Sequence, residues 1–303
     1  MTRKQPPRQI DQLVINWHIN EACNYRCDYC YAKWSDQKTT RDLVRNPEKT
    51  EALLTELWAY FAPSNDQNPL REELNWSRVR LNFAGGEPLL HVPSLLHAIQ
   101  TAHSLGFDVS LITNGSKLDH QNLAAMASHL DWLGLSIDAG DPQTNRAIGR
   151  VDRRDQFLDL SVLSDAISAS RALSSSMKLK INTVVSKNNY TADLEPVLEQ
   201  LRPEKWKVLR VLPMVTEAGI VSDEQFAHFV ATHEQFRKIM YVEDNSDMLQ
   251  TYLMIDPKGR FFQSHPKARQ SGYFYSDAIQ EIGAARAFRN MVLSASGFAD
   301  RYR

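Results

Sequence analysis

Cys23, Cys27 and Cys30 lie within eight positions, in Cys23-Asn24-Tyr25-Arg26-Cys27-Asp28-Tyr29-Cys30, and no other cysteine occurs in the 303 residues. Three thiolates on one short loop can hold three irons of a 4Fe-4S cube, which leaves the fourth iron open to a substrate or cofactor. A structural zinc would want four protein ligands, usually from two CxxC-like pairs, and no second pair exists here. His18 is the nearest candidate for a fourth ligand, but it precedes the loop on an expected strand. A disulfide framework fits neither the odd cysteine count nor a long chain that opens without a secretory apolar segment. Single cysteines are mostly buried, inert thiols. Three among polar and aromatic neighbours are not single.

The loop must be carried by something rigid. Residues 13–20 alternate, with Leu13, Ile15, Trp17 and Ile19 on one face and Asn16, His18 and Asn20 on the other, which predicts a strand leading into the loop. Pro47 at a first helical position opens a helix carrying Leu53, Leu54, Leu57, Trp58 and Phe61. Further strands are expected at 79–85, 107–113, 132–138, 177–184 and 206–212. Helices are expected between them at 93–105, 119–129, 155–173 and 191–201.

Six strands alternating with helices imply parallel βαβ units, too few to close an eight-stranded barrel. The expected fold is therefore α/β, a partial (β/α)6 barrel over residues 13–215. A tail at 1–12 precedes it, and a C-terminal extension at 216–303 covers the open side. Beyond about 216 the alternation is expected to stop. A polar helix at 222–239 follows, then a hairpin within 251–263 turning at Asp256-Pro257-Lys258-Gly259. In such folds functional groups gather inside and at the C-terminal strand ends, where the cysteine loop lies.

With 35 basic and 36 acidic residues, the chain has no charge excess to hold a nucleic-acid polymer. It has no apolar run of bilayer length, so no membrane partner is expected, and reduced thiols suit the cytoplasm. Local charge is another matter. If the apolar strand faces pack on helices, the inner faces carry Asn16, His18, Arg80, Asn82, Lys178, Lys180, Asn182, Lys205 and Lys207. Lysines two apart point to the same side, and cations concentrated in a cleft are costly without an anion, so a polyphosphate is the expected ligand. Exposure at the strand starts is the alternative, chiefly for Lys178.

Small polar residues close the strands. Gly85-Gly86-Glu87-Pro88 follows the second strand, Thr113-Asn114-Gly115-Ser116 the third, and Ser136-Ile137-Asp138 the fourth. Glycines admit close backbone approach to a ligand, and Glu87 can accept from an ammonium group. Ordinary turns and loop caps remain open for these segments, and a solvated loop cation for Arg150.

The CxxxCxxC pattern with Tyr29 before its last cysteine resembles the radical S-adenosylmethionine (SAM) superfamily. That resemblance implies a 4Fe-4S cluster on Cys23, Cys27 and Cys30, with SAM on its open iron. It also implies a SAM site formed by Tyr29, Gly85, Gly86, Glu87, Asn114, Ser136 and Arg150. No cysteine remains for an auxiliary cluster. The stretches NWHINEACNYRCDYCY, LNFAGGEPLL, LITNGS, LSID, NRAIGR, LKINTVVSKNN, LRPEKWKVLRVLP and EDNSDMLQTYLMIDPKGRFF resemble, in order, the viperin-like nucleotide dehydratases of that superfamily.

What this second resemblance implies is dehydration of a ribonucleoside triphosphate, CTP foremost with UTP or GTP as options, to its 3'-deoxy-3',4'-didehydro form. Such a product terminates RNA chains and serves antiviral defence. Asn16, His18, Arg80, Lys180, Asn182, Lys205 and Lys207 would hold the triphosphate and ribose, and Asn245 would face the base unless it only forms a turn. Tyr252, at the start of a strand in the hairpin, would transfer a proton or hydrogen unless it is purely structural. An electron donor such as a flavodoxin or ferredoxin is implied. The alternatives are a radical SAM enzyme acting on a purine-like heterocycle, of the carboxy-deazaguanine synthase type, and a nucleotide sensor with a structural cluster.

Overall fold

The structure, a computed structural model, describes residues 6–30, 42–173, 176–213, 217, 219–248, 250–264 and 273–302. One ten-stranded sheet in the order β10-β9-β8-β1-β2-β3-β4-β5-β6-β7 organises the chain. Its parallel part comprises β1 (Arg8–His18), β2 (Leu74–Ala84), β3 (Asp108–Thr113), β4 (Trp132–Ser136), β5 (Lys178–Val185), β6 (Lys205–Arg210) and β7 (Met240–Glu243), each paired with its predecessor in the chain. On the far side of β1 stand β8 (Leu253–Ile255), parallel to it, and then β9 (Arg260–Ser264) and β10 (Tyr273–Ala278), both antiparallel additions. The result is an open α/β partial barrel, as expected.

Helices cover one face of the parallel strands because alternate strand residues are apolar. Leu13, Ile15 and Trp17 of β1 and Leu81 and Phe83 of β2 are fully buried, while Asn16 and Asn82, aligned across the pair, point to the other face. Helix α1 (Pro47–Phe61) starts where the Asn46 side chain accepts from Lys49 N and Pro47 presets φ. Helix α2 (Val92–Leu105) ends at Gly106, whose φ of +107° and contact with the Trp58 ring exclude a side chain. Then come α3 (His120–Ala127), α4 (Pro142–Ala147), α5 (Leu160–Leu173), α6 (Glu195–Leu201) and α7 (Asp223–Thr232).

Three expectations change. The first strand begins at Arg8 rather than Leu13, so part of the expected tail pairs with β2. The alternation runs one unit past the expected sixth strand: the helix expected over 222–239 is α7, a 3-10 turn at Glu234–Phe236, and the approach to β7, which continues the parallel sheet. Tyr252 stands one residue before β8 rather than within it. The boundary expected at 215/216 lies outside the described residues. The hairpin across Asp256 to Gly259 forms as expected, closed by Gly259 N donating to Asp256 O at 3.0 Å.

The last segments, α8 (Ile279–Ile282), α9 (Ala284–Phe288) and α10 (Ala295–Arg301), pack into the same core as the barrel helices. Phe61 of α1 joins them, its ring 6.2 Å from Phe261 of β9 and 5.5 Å from Phe288 of α9. Phe61→Ala should therefore cost about 3–5 kcal/mol in urea unfolding, with the C-terminal strands and α1 losing protection from hydrogen exchange together. Loss confined to α1 would contradict a shared core.

Candidate active site

The cysteine loop leaves β1 and is held by backbone on both sides. On one side Ile19 N donates to Ala84 O (2.8 Å), Gly86 N to Asn20 O (2.7 Å) and Glu87 N to Ala22 O (2.8 Å). On the other, Arg26 N donates to Gly149 O and Asp28 N to Ile148 O, both at 3.2 Å. Both docking edges need glycine. A Cβ on Gly86 would lie 2.2 Å from Ala22 O, one on Gly85 2.3 Å from Asn20 Oδ1, and one on Gly149, at φ +72°, 2.5 Å from Arg26 O. Gly85 and Gly86 thus admit the cysteine loop itself.

None of the three cysteines pairs in a disulfide; Cys23 is exposed, and Cys27 and Cys30 are half-buried. Burial raises the Cys23 pKa and pushes that of Cys27 up to about 11. These groups become thiolates when a metal supplies the compensating charge. Donors already point at one sulfur: Tyr25 N (3.4 Å) and Asn114 Nδ2 (3.8 Å) both reach Cys23 Sγ, and such bonds stabilise a thiolate ligand. Among the described residues no three His, Cys, Asp or Glu side chains gather as around one ion. A cube makes no such demand, since each thiolate meets its own iron. The residues present fit a 4Fe-4S cube with one open iron.

Behind the loop lies a buried ionic triad. Asp138, fully buried just past β4, accepts from the Tyr29 phenol, from Arg150 Nε at 2.5 Å and, through its other oxygen, from Val184 N at 2.7 Å. Arg150 also donates to Tyr29 Oη and to Ser136 O, both at 3.1 Å. Arg150 is thus a buried structural cation, 8% exposed, rather than a solvated one. Ser136 is drawn in through its carbonyl. Asp138, unassigned among the expected site residues, is the hub.

Glu87 is fully buried as well. Its carboxylate accepts from Thr113 Oγ1 (2.6 Å), Asn114 N (2.7 Å) and Leu89 N (3.0 Å), and burial still raises its pKa. It ties the end of β2 to the end of β3 and aims Asn114, whose amide also donates to Asn24 Oδ1 at 2.9 Å.

The inner sheet face is polar, as the alternation predicted. Ser110 Oγ donates to Asn82 Oδ1 and Asn82 Nδ2 to Asn16 Oδ1, both at 2.8 Å, and Asn16 Nδ2 to Leu253 O at 3.2 Å. Lys180 aligns with Lys205, and Asn182 with Lys207. Burial, with Lys207, Arg80 and Lys205 nearby, holds Lys180 well below the ordinary lysine value, and burial with Arg80 lowers Lys205. Lys205 Nζ lies 3.7 Å from the Tyr241 ring centre, and the Arg80 Nε is buried without a hydrogen-bond partner. Lys178, by contrast, is exposed and lies 5.6 Å from the Trp132 ring. His18 is buried edge-on against Phe262, its pKa driven to about 3 by burial, so it presents a neutral imidazole.

Three residues not anticipated enter this face. Glu243 of β7 accepts from Lys207 Nζ through one oxygen and from Arg301 of α10 through the other. Tyr302 lies within 5.8 Å of Lys207 Nζ. Burial lowers the Lys207 pKa to about 8 despite Glu243. Tyr252 joins the group, its phenol 3.4 Å from Glu243 Oε2 and its ring stacked 3.6 Å from the Arg301 guanidinium. Asn245 stands on a 3-10 turn (Asn245–Met248), its Oδ1 buried without a partner.

The sequence profile of the Radical SAM superfamily matches residues 17–162. An S-adenosylmethionine-dependent nucleotide dehydratase from Pseudoalteromonas ulvae is 42% identical over 97% of this chain and 94% of its own. One from Psychrobacter lutiphocae is 37% identical over 96% and 95%. Among solved structures, anSMEcpe with bound AdoMet and a peptide superposes with a TM-score of 0.66 at 14% identity, covering 96% of this chain and 84% of that one.

If close backbone approach places the sulfurs, Gly86→Ala should cost about 1–3 kcal/mol in denaturant unfolding through overpacking and lower iron incorporation on reconstitution. Undiminished iron content together with unchanged stability would contradict the docking described.

Proposed function

Because this chain belongs to the radical SAM superfamily and, within it, to the S-adenosylmethionine-dependent nucleotide dehydratases, we propose that it dehydrates the ribose of CTP to 3'-deoxy-3',4'-didehydro-CTP. The observation that carries the substrate class is the inner face itself. Arg80, Lys180 and Lys205 converge there with no hydrogen bond or ion pair to an acidic group among the described residues, and burial makes such charges costly until an anion arrives. Asn16, Asn182 and Asn82 line the same face and suit the ribose hydroxyls. A purine-like heterocycle without phosphates would leave the cations unanswered.

Cys23, Cys27 and Cys30 would hold the cluster. Asn114, aimed by Glu87, and the Tyr29–Asp138–Arg150 triad shape the SAM side. When bound, these cofactors supply the radical that takes the C4' hydrogen and the electron that completes the product. The protein's own chemistry is a proton: the departing 3'-hydroxyl needs one to leave as water, and the Tyr252 phenol is the acid that the inner face presents. Asn245 Oδ1, buried and unpartnered, would accept from the exocyclic amino group of cytosine, which uracil lacks. An electron donor such as a flavodoxin or ferredoxin would approach at exposed Cys23. The product lacks the hydroxyl needed for RNA extension, which fits a role in defence against phage. Among the described residues no helix is long and apolar enough to cross a membrane.

Two outcomes are expected. Reduced, reconstituted protein with SAM should form 5'-deoxyadenosine fastest with CTP, more slowly with UTP and GTP; no acceleration by any triphosphate would end the proposal. In addition, CTP affinity should hold up to about pH 8 and fall above it. Lys207, with its pKa near 8 in the free enzyme, then enters the complex uncharged unless it first binds a proton, and the bound phosphate raises its pKa. An affinity that rises through this range would contradict the assignment.

A further inference from the structure

Glu243 closes β7 and is only 7% exposed. Its carboxylate ties together four separate parts of the chain: Lys207 of β6, Arg301 of α10, Tyr252 ahead of β8, and its own strand. Arg301 is anchored further, donating to Asp247 O at 2.9 Å and to Thr251 Oγ1 at 3.2 Å. Apart from Glu243, the ionisable groups acting on Lys207 among the described residues are Lys180 from β5, Lys205 from β6, Arg301 at the end of α10 and Tyr302 just past it, while Arg80 from β2 stands by Lys180 and Lys205, and Tyr252 stands by Glu243 and Arg301. Among the described residues Glu243 is the one carboxylate hydrogen-bonded to any of these five cations, and Asp108 and Asp131 act on Arg80 only through space. A metal-free nucleoside triphosphate carries about four negative charges at neutral pH.

We propose that Glu243 is a positioning residue for the polyphosphate end of the site, keeping Lys207 charged and Arg301 docked on the inner face before any anion binds. The inference rests on the polyphosphate reading above and adds to it a resident counterion. Its logic is electrostatic. A buried ammonium facing Lys180, Lys205 and Arg301 gives up its proton readily, and once the proton is lost the neutral amine no longer pairs with a phosphate. Glu243 opposes that loss through charge and a hydrogen bond. Removing one partner of a buried ionic cluster leaves the remainder uncompensated. The same carboxylate accepts from Tyr252, so it also fixes the phenol relative to the phosphate cations.

The test is calorimetric titration of the full chain with inorganic tripolyphosphate between pH 6 and pH 9.5. In the unaltered protein, affinity should begin to fall near pH 8. In Glu243→Gln the fall should begin at least one pH unit lower, so that affinity at pH 8 drops about fivefold or more relative to the unaltered protein, while binding persists at pH 6. Glu243→Asp, which keeps the charge, should hold the fall near pH 8. Lys207→Arg, alone or combined with Glu243→Gln, should remove it, because a guanidinium does not titrate there. An unmoved fall in Glu243→Gln, or loss of its binding at every pH, would overturn the role of Glu243. Absence of tripolyphosphate binding to the unaltered protein would instead sink the polyphosphate reading on which it rests.

Discussion

Everything chemical in this chain depends on backbone packed against backbone at the mouth of the barrel. The cysteine loop is gripped between the Gly85-Gly86 edge after β2 and the Ile148-Gly149 edge after α4, at distances that leave no space for a Cβ at Gly86 or Gly149. The grip fixes where three sulfurs point and does so without using their own side chains. It also couples the loop to the sheet, since Glu87, next to Gly86, bonds to Thr113 and Asn114 at the end of β3. A redox cofactor that must face a substrate at defined range needs this kind of rigid seat.

The second constraint is charge in a confined space. Arg80, Lys180, Lys205 and Lys207 come from three strands of one face, and burying them together costs free energy that folding must offset elsewhere. The offset is visible in part: Glu243 pairs with both Lys207 and Arg301, cancelling one of their two charges, and Tyr241 offers its ring to Lys205. The remaining charges, on Arg80 and Lys180, have no hydrogen bond or ion pair to an acidic group among the described residues. The Tyr29–Asp138–Arg150 triad behind the cysteine loop shows the opposite solution, its one carboxylate and one guanidinium paired and joined by the Tyr29 phenol.

Much of this was legible in the chain because it is local. The cysteine spacing, the alternation of Leu13 to Asn20, the i, i+2 lysines and the Asp256 to Gly259 turn each lie within a few residues, and period-two alternation separated Asn16, Asn82, Lys180 and Asn182 from the helix-covered apolar face, although Lys178, placed with them, is exposed. What escaped depends on distance. Glu243 meets Lys207 across 36 positions and Arg301 across 58, and no periodicity encodes that. β7 was hidden because it is four residues long and follows α7 and a 3-10 turn whose apolar residues extend a helical pattern. Arg150 was equally compatible with a solvated loop until the fold brought Asp138 beneath it, and the glycines of GGEP could be assigned to the cysteine loop only once Ala22 was seen beside them.

The central claim is that one radical, generated at the cysteine loop, is aimed at the ribose C4' of a triphosphate held by the inner cations. The most direct measurement is the fate of deuterium in CTP labelled at C4', incubated with the reduced, reconstituted protein and SAM. Transfer of that label into 5'-deoxyadenosine, alongside a nucleotide lighter by one water, is the predicted result. Unlabelled 5'-deoxyadenosine with the deuterium retained at C4' would contradict the account.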